Sequence, residues 1–97
     1  MAKLFVYYPR HEGCGFDRDY YLSKHAPIVQ AAWGSAGLQG IAIDWPFDES
    51  QPFACLATLE FESQTAIDAA LSSAATPDVL ADVVNFTDIQ PVIYRAT

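Results

Sequence analysis

Residues 16–34 limit the possible folds of this chain more than any other stretch, because they carry signals for both ends of one helix. Asp17 is a good N-cap residue, since its carboxylate can accept a free backbone N–H of the first turn. Gly34 can take the left-handed conformation that ends a helix. Apolar side chains recur at helical spacing between these two ends, which predicts one broad buried face. The members of that face are Tyr21, Leu22, His25, Ala26, Ile28, Val29, Ala32 and Trp33.

His25 is the one side chain on this face that titrates near neutral pH. Tyr21 precedes it by four residues, so the helix should place the phenol beside the imidazole. Pro27 lacks a backbone N–H, which predicts that the helix opens or kinks just after His25. The sequence therefore sets two polar rings next to an irregular point of the helix.

Four runs rich in β-branched and aromatic residues predict strands, and two helical regions alternate with them. The second helical region begins after Ser63 and restarts at Thr76 and Pro77. This order predicts an α+β chain with a ferredoxin-like βαββαβ fold, in which helices cover one face of a four-stranded antiparallel sheet. The predicted strands are residues 3–8, 41–45, 53–61 and 89–94.

Both faces of this predicted sheet are apolar, although the helices can cover only one of them. In the runs 3–8 and 53–61 the side chains that alternate toward the second face are again mostly apolar. An exposed apolar sheet face favours association. We therefore expect an obligate homodimer in which two sheets pack face to face.

Composition narrows the kinds of partner that the chain can bind. The 97 residues predict one domain, 1–97, and 52% hydrophobic residues suffice for a core. A formal net charge of −7 disfavours binding to nucleic acid, because phosphates require clustered Lys and Arg. The sequence contains no apolar run long enough to span a membrane. We expect a cytoplasmic protein whose ligand is a small apolar or aromatic molecule.

The metal-compatible residues do not have the spacing of a metal site. His11, Glu12, Cys14 and Asp17 share one predicted loop, but without the spacing typical of zinc ligands. Cys14 and Cys55 form no C-x-x-C pair, so two separate thiols are expected, with a disulfide left open. We predict no metal and no cofactor. Haem bound through His25 is a minor alternative.

Residues 16–27 read F-D-x-x-Y-Y-x-x-x-H-x-P, Gly34 and Gly37 follow, and residues 87–91 read T-D-I-Q-P. These features resemble the EthD family of dimeric α+β barrel proteins, and the resemblance spans nearly the whole chain. It implies a ferredoxin-like protomer that pairs through its sheet, with a small cavity between sheet and helices. The family is associated with bacterial degradation of ethyl tert-butyl ether, where the role of this component is not established. Related barrels include cofactor-independent monooxygenases, polyketide cyclases, muconolactone isomerases and haem-handling enzymes, so the fold does not choose the chemistry.

His25 and Tyr21 are the candidate catalytic residues. A neutral imidazole beside an apolar pocket can act as a general base or a hydrogen-bonding group, while the phenol donates to a substrate oxygen. The alternative is a structural histidine that bonds a neighbouring segment across the gap made by Pro27. The candidate ligand-binding residues are Tyr8, at the expected cavity mouth, together with Asp17, Trp33 and Phe86.

Two classes of function follow from these features. The first is a cofactor-independent enzyme of small-molecule catabolism or secondary metabolism, acting by proton transfer, cyclisation or oxygenation with His25 as its polar group. The second is a non-catalytic dimeric ligand-binding protein, or an accessory to an oxygenase system. One basic group without a nucleophile or a phosphate-binding loop is compatible with both classes.

Overall fold

The computed structural model describes residues 2–97 and shows a four-stranded antiparallel sheet. Along the chain the elements follow the order βαββαβ, and across the sheet the strands lie in the order β2-β3-β1-β4. This arrangement confirms the predicted ferredoxin-like α+β fold. Met1, the first residue of the predicted domain, lies outside the described residues. The strands are β1 (Ala2–Pro9), β2 (Leu38–Asp44), β3 (Phe53–Phe61) and β4 (Val92–Ala96).

The first helix, α1, covers residues 18–33 and is irregular in the middle. Asp17 caps it as predicted, because its carboxylate accepts the backbone N–H of Tyr20 at 3.0 Å. Further along, the Ala26 N–H bonds to the carbonyl of Tyr21, five residues back, which is the spacing of a π-helix. The three parts of α1 are an α-helical turn (Arg18–Tyr20), a π-helical segment (Tyr21–His25) and an α-helix (Ala26–Trp33).

Pro27 predicts an irregularity in this helix. In the structure, that irregularity is the π-helical segment. Pro27 lies in the first turn of the Ala26–Trp33 part, where a missing N–H costs little. The widened turn also rotates the side chains that precede it relative to those that follow. Leu22, predicted to be on the buried face, is 49% exposed, so that prediction was wrong, whereas His25 and Trp33 are buried.

The C-terminal end of α1 differs from the prediction in one detail. The helix ends at Trp33 as expected, but Gly34 has φ −55° and continues as a short 3-10 turn, Gly34–Ala36. The left-handed residue is Gly37, with φ 107°. The prediction of a left-handed Gly34 was therefore wrong.

The starts of β2 and β4 each differ from the prediction by three residues. β2 begins at Leu38, before the predicted start, because Leu38 already pairs with Phe61 of β3. β4 begins at Val92, after the predicted start, since Pro91 has no N–H to donate. Ile89 lies before the strand, and its N–H bonds to the Thr87 hydroxyl at 3.1 Å.

The remaining helices are α2 (Gln64–Leu71) and α3 (Thr76–Ala81), and a 3-10 turn (Asp82–Asn85) continues from α3. Ser63 caps α2 as predicted, accepting the Ala66 N–H at 3.1 Å. In the described part of the chain, no helix has both the length and the apolar character needed to cross a bilayer. The core between sheet and helices is formed chiefly by Leu4, Val29, Trp33, Leu59, Phe61, Ile67 and Val79.

The opposite face of the sheet carries apolar side chains that no helix within residues 2–97 covers. Phe5 pairs across the sheet with Tyr94, and their rings are 6.1 Å apart. Tyr7 pairs with both Leu56 and Val92 on the same face. Val92 is 40% exposed and Tyr94 is 57% exposed. We call these five residues the uncovered sheet face.

Gly37→Ala should destabilise the protein. A Cβ on Gly37 would lie 2.8 Å from the Ala66 Cβ, and φ 107° strains any L side chain. We expect a loss of about 1–3 kcal/mol in the free energy of unfolding, measured by chemical denaturation. Gly34→Ala is the matched control, because its φ is helical and nothing lies within 4 Å of the added Cβ. An equal loss in both variants would contradict this account of Gly37.

Candidate functional site

A small apolar cavity of ≈ 40 Å³ lies between the sheet and the helices. Leu80 and Ile93 are 51% and 45% exposed, so they mark its mouth. No Asp, Glu, Lys or Arg side chain of residues 2–97 lines it. An ionised ligand would therefore lose its hydration here without a compensating charge. The inner wall includes Val6, Tyr8, Tyr21, His25, Val29, Trp33, Ala57 and Leu59.

His25 lies at the end of the π-helical segment and lines this cavity. It is 4% exposed, and its ring packs 4.6 Å from the ring of Phe86 and 5.3 Å from that of Tyr21. Its Nδ1 lies 2.9 Å from Oδ2 of Asp82. Its Nε2 has no hydrogen-bond partner among the described residues and is not sealed from solvent. Nε2 is thus the ring nitrogen available to a molecule in the cavity.

Asp82, at the start of the 3-10 turn after α3, holds the other side of the imidazole. Its Oδ1 accepts the Tyr20 hydroxyl at 2.7 Å and the Asn85 amide at 3.0 Å, while Oδ2 faces His25. The carboxylate is 8% exposed. Burial opposes its ionisation, but the hydrogen bonds from Asn85, Tyr20 and His25 outweigh that cost and lower the pKa of Asp82. An ionised carboxylate with a partner at each oxygen therefore supports the imidazole.

The two cavity tyrosines are neutral hydrogen-bond donors at physiological pH. Burial, followed by the nearby Cys55, raises the pKa of both Tyr8 and Tyr21 above the ordinary value. Burial also raises the pKa of the Cys55 thiol to about 12. Tyr8 is 1% exposed, so it belongs to the inner wall, and its predicted place at the cavity mouth was wrong.

The other predicted ligand-binding residues do not all reach the cavity. Trp33 lines it, and its indole N–H donates to the Thr76 hydroxyl at 2.9 Å. Phe86 packs against the ring of His25 and is not part of the cavity lining. Asp17 is exposed and caps α1, so it lies away from the cavity.

The loop that contains the metal-compatible residues does not bring their side chains together. His11 Nε2 lies 3.8 Å from Asp88, and both side chains are about half exposed. Within residues 2–97, no three His, Cys, Asp or Glu side chains are arranged to hold a metal ion. Cys14 and Cys55 are both free thiols.

The sequence also matches the model of a known protein family. The model of the EthD domain matches residues 16–90, which is more than half of the chain. The chain belongs to the EthD family. No curated protein matches the sequence.

Several solved structures share the fold of this EthD-family chain. An EthD-like protein from Ralstonia eutropha JMP134 is 30% identical, with a TM-score of 0.82 over 98% of this chain and 88% of that one. An ethyl tert-butyl ether (EthD) family protein from Bacillus halodurans C-125 is 16% identical, with a TM-score of 0.72 over 100% and 99%. A dimeric ferredoxin-like protein of unknown function from Jannaschia sp. CCS1 is 14% identical, with a TM-score of 0.70 over 99% and 97%.

Asp82 is the residue of this candidate site that sequence reasoning missed. It lies 57 residues from His25, and no local pattern pairs the two. One signal was present, because Asp82 interrupts the apolar run 79–84 on the side of a helix that also carries Val79. An acid in such a position is either exposed at a helix edge or buried against a partner, and only the tertiary contacts distinguish these cases.

His25→Ala and His25→Asn should have different effects on stability. Alanine leaves the buried Asp82 without one of its donors, which should cost about 1–3 kcal/mol and lower Tm by roughly 4–8 °C per kcal/mol. Asparagine can place an amide N–H near the position of Nδ1, so much of that loss should be recovered. Thermal melts of both variants measure the difference. Equal losses would mean that the bond to Asp82 contributes little to folding.

Proposed function

We propose that this EthD-family protein is a cofactor-independent enzyme that removes a proton from a small, neutral, apolar or aromatic substrate. The observation that carries the proposal is a buried His25 held by Asp82 through Nδ1, with Nε2 free at an apolar cavity. The reaction belongs to small-molecule catabolism or secondary metabolism.

His25 is the general base in this proposal. Nε2 takes the proton from an acidic C–H beside a carbonyl or from a phenolic O–H. The imidazolium that forms is stabilised by the Asp82 carboxylate at 2.9 Å from Nδ1. Because the cavity is apolar, this charge interaction is stronger than it would be in water.

Tyr21 supplies the matching hydrogen-bond donor. Its ring lies 5.3 Å from that of His25, and its raised pKa keeps the hydroxyl protonated. A neutral O–H can stabilise the oxygen on which negative charge develops when the proton leaves. Tyr8, on the same inner wall, is a second donor of this kind.

The absence of charged lining residues in the described chain supports a neutral substrate. The anion formed by proton removal can isomerise, cyclise or react with oxygen, and the proton removal itself requires no cofactor. The alternative is that the same cavity binds a small molecule without converting it, as in an accessory protein of an oxygenase system.

Proton removal can be tested by deuterium exchange without knowledge of the natural substrate. With the small ketones acetone and 2-butanone as probes in D₂O, we expect the protein to accelerate exchange of the α-protons, followed by NMR. His25→Asn should reduce this acceleration by about 10²-fold or more. Lys24→Gln, an exposed position on the same helical segment, should leave the rate unchanged. Binding of the probes without any acceleration would favour the non-catalytic alternative.

We also propose that the protein is a homodimer that pairs through the uncovered sheet face. The exposed Val92 and Tyr94 support this assembly, since an apolar patch on a sheet favours association. The Jannaschia protein of the same fold is dimeric, which adds a structural precedent.

Tyr94→Glu should convert the dimer to a monomer. A two-fold interface places the new carboxylate in the interface twice, where it loses hydration without a partner. Sedimentation at micromolar concentration measures the change in mass. Leu22→Glu is the control, because Leu22 is also exposed and apolar but lies on α1, away from the sheet. A monomeric parent protein would contradict the assembly.

A further inference from the structure

We propose that Asp82 is a positioning residue that determines which ring nitrogen of His25 carries the hydrogen. Tyr20 and Asn85, in turn, determine the orientation of the side chain at position 82. The four side chains form one hydrogen-bonded group that joins α1 to the 3-10 turn after α3. This proposal deepens the proposed function and rests on it for its catalytic consequence. Its structural content can be tested without any ligand.

The first step of the argument concerns the proton on the imidazole. An ionised carboxylate can only accept hydrogen bonds, and Tyr20 and Asn85 favour that form of Asp82 by donating to Oδ1. In the neutral ring, the nitrogen that faces Asp82 must therefore carry the hydrogen. His25 is then the Nδ1–H tautomer, and Nε2 presents a lone pair to the cavity.

The second step concerns the two oxygens of Asp82, which have different partners. Oδ1 accepts both the Tyr20 hydroxyl and the Asn85 amide, whereas Oδ2 faces only His25. If residue 82 is an asparagine, its single carbonyl oxygen is needed on the side of these two donors. Its NH₂ group must then point to His25.

The substitution Asp82→Asn therefore reverses the hydrogen-bonding role of the imidazole nitrogen at the cavity. Nδ1 of His25 has to accept the new N–H, so the ring hydrogen moves to Nε2. The cavity nitrogen changes from an acceptor to a donor, although the shape of the side chain at position 82 hardly changes. A donor at this position cannot remove a proton from a substrate.

The tautomer can be read directly by long-range ¹H–¹⁵N NMR of the ligand-free protein labelled with ¹⁵N-histidine, at a pH where the ring is neutral. We expect the Nδ1–H pattern for His25 in the parent and the Nε2–H pattern in Asp82→Asn. Asp78→Asn, an exposed position on α3, should keep the parent pattern. His11 lies in an exposed loop, so its signals serve as an internal reference for the histidine tautomer pattern.

The role of Tyr20 and Asn85 is tested by removing their hydrogen bonds in the Asp82→Asn background. With Tyr20→Phe and Asn85→Ala added, nothing holds the amide oxygen on their side, so the amide can turn. We expect part of the Nδ1–H pattern to return. If the pattern of the single variant persists unchanged, the assignment to Tyr20 and Asn85 is wrong.

The parent spectrum alone can overturn the proposal, even if the variants do not fold. An Nε2–H pattern in the parent would show that Asp82 does not set the tautomer. The catalytic part has a separate readout, since Asp82→Asn should lower the exchange of 2-butanone α-protons by about 10²-fold or more. The expected tautomers without any exchange in the parent would defeat the proposed function while leaving the positioning role intact.

Discussion

The hydrogen bond between His25 and Asp82 is the interaction on which the rest of the site depends. It links α1 to the turn after α3 and buries a carboxylate whose desolvation is costly. The cost is offset because Tyr20 and Asn85 complete the hydrogen bonding of Asp82. One buried ionic group therefore positions two helical segments relative to each other and also orients the imidazole. Stability and the candidate chemistry share the same contacts.

The cavity lies where the two parts of the hydrophobic core meet. Its wall takes Val29 and Leu59 from the larger part, and Tyr8 and Tyr21 from an aromatic cluster beside it. The π-helical segment widens α1 at the place where His25 enters this wall.

The helix caps, the order of elements and the pairing of Tyr21 with His25 could be predicted because each depends on neighbours within a few residues. Asp17 and Ser63 cap their helices through contacts three residues away. The failures have a different origin. Leu22 is exposed because the π-helical turn rotated its side chain, and Gly37 replaces Gly34 as the left-handed residue because the chain must approach Ala66 of α2 closely. Neither constraint is visible within the helix itself.

The sequence by itself determined the fold family and the residue that carries the candidate chemistry. Periodicity and caps are local signals, and the F-D-x-x-Y-Y-x-x-x-H-x-P stretch can be recognised without knowledge of the rest of the chain. Only the tertiary structure decided which nitrogen of His25 contacts a partner and which one is left free. The physical reason is that these properties depend on Asp82, which becomes a neighbour of His25 only when α3 packs against α1 and both are withdrawn from water.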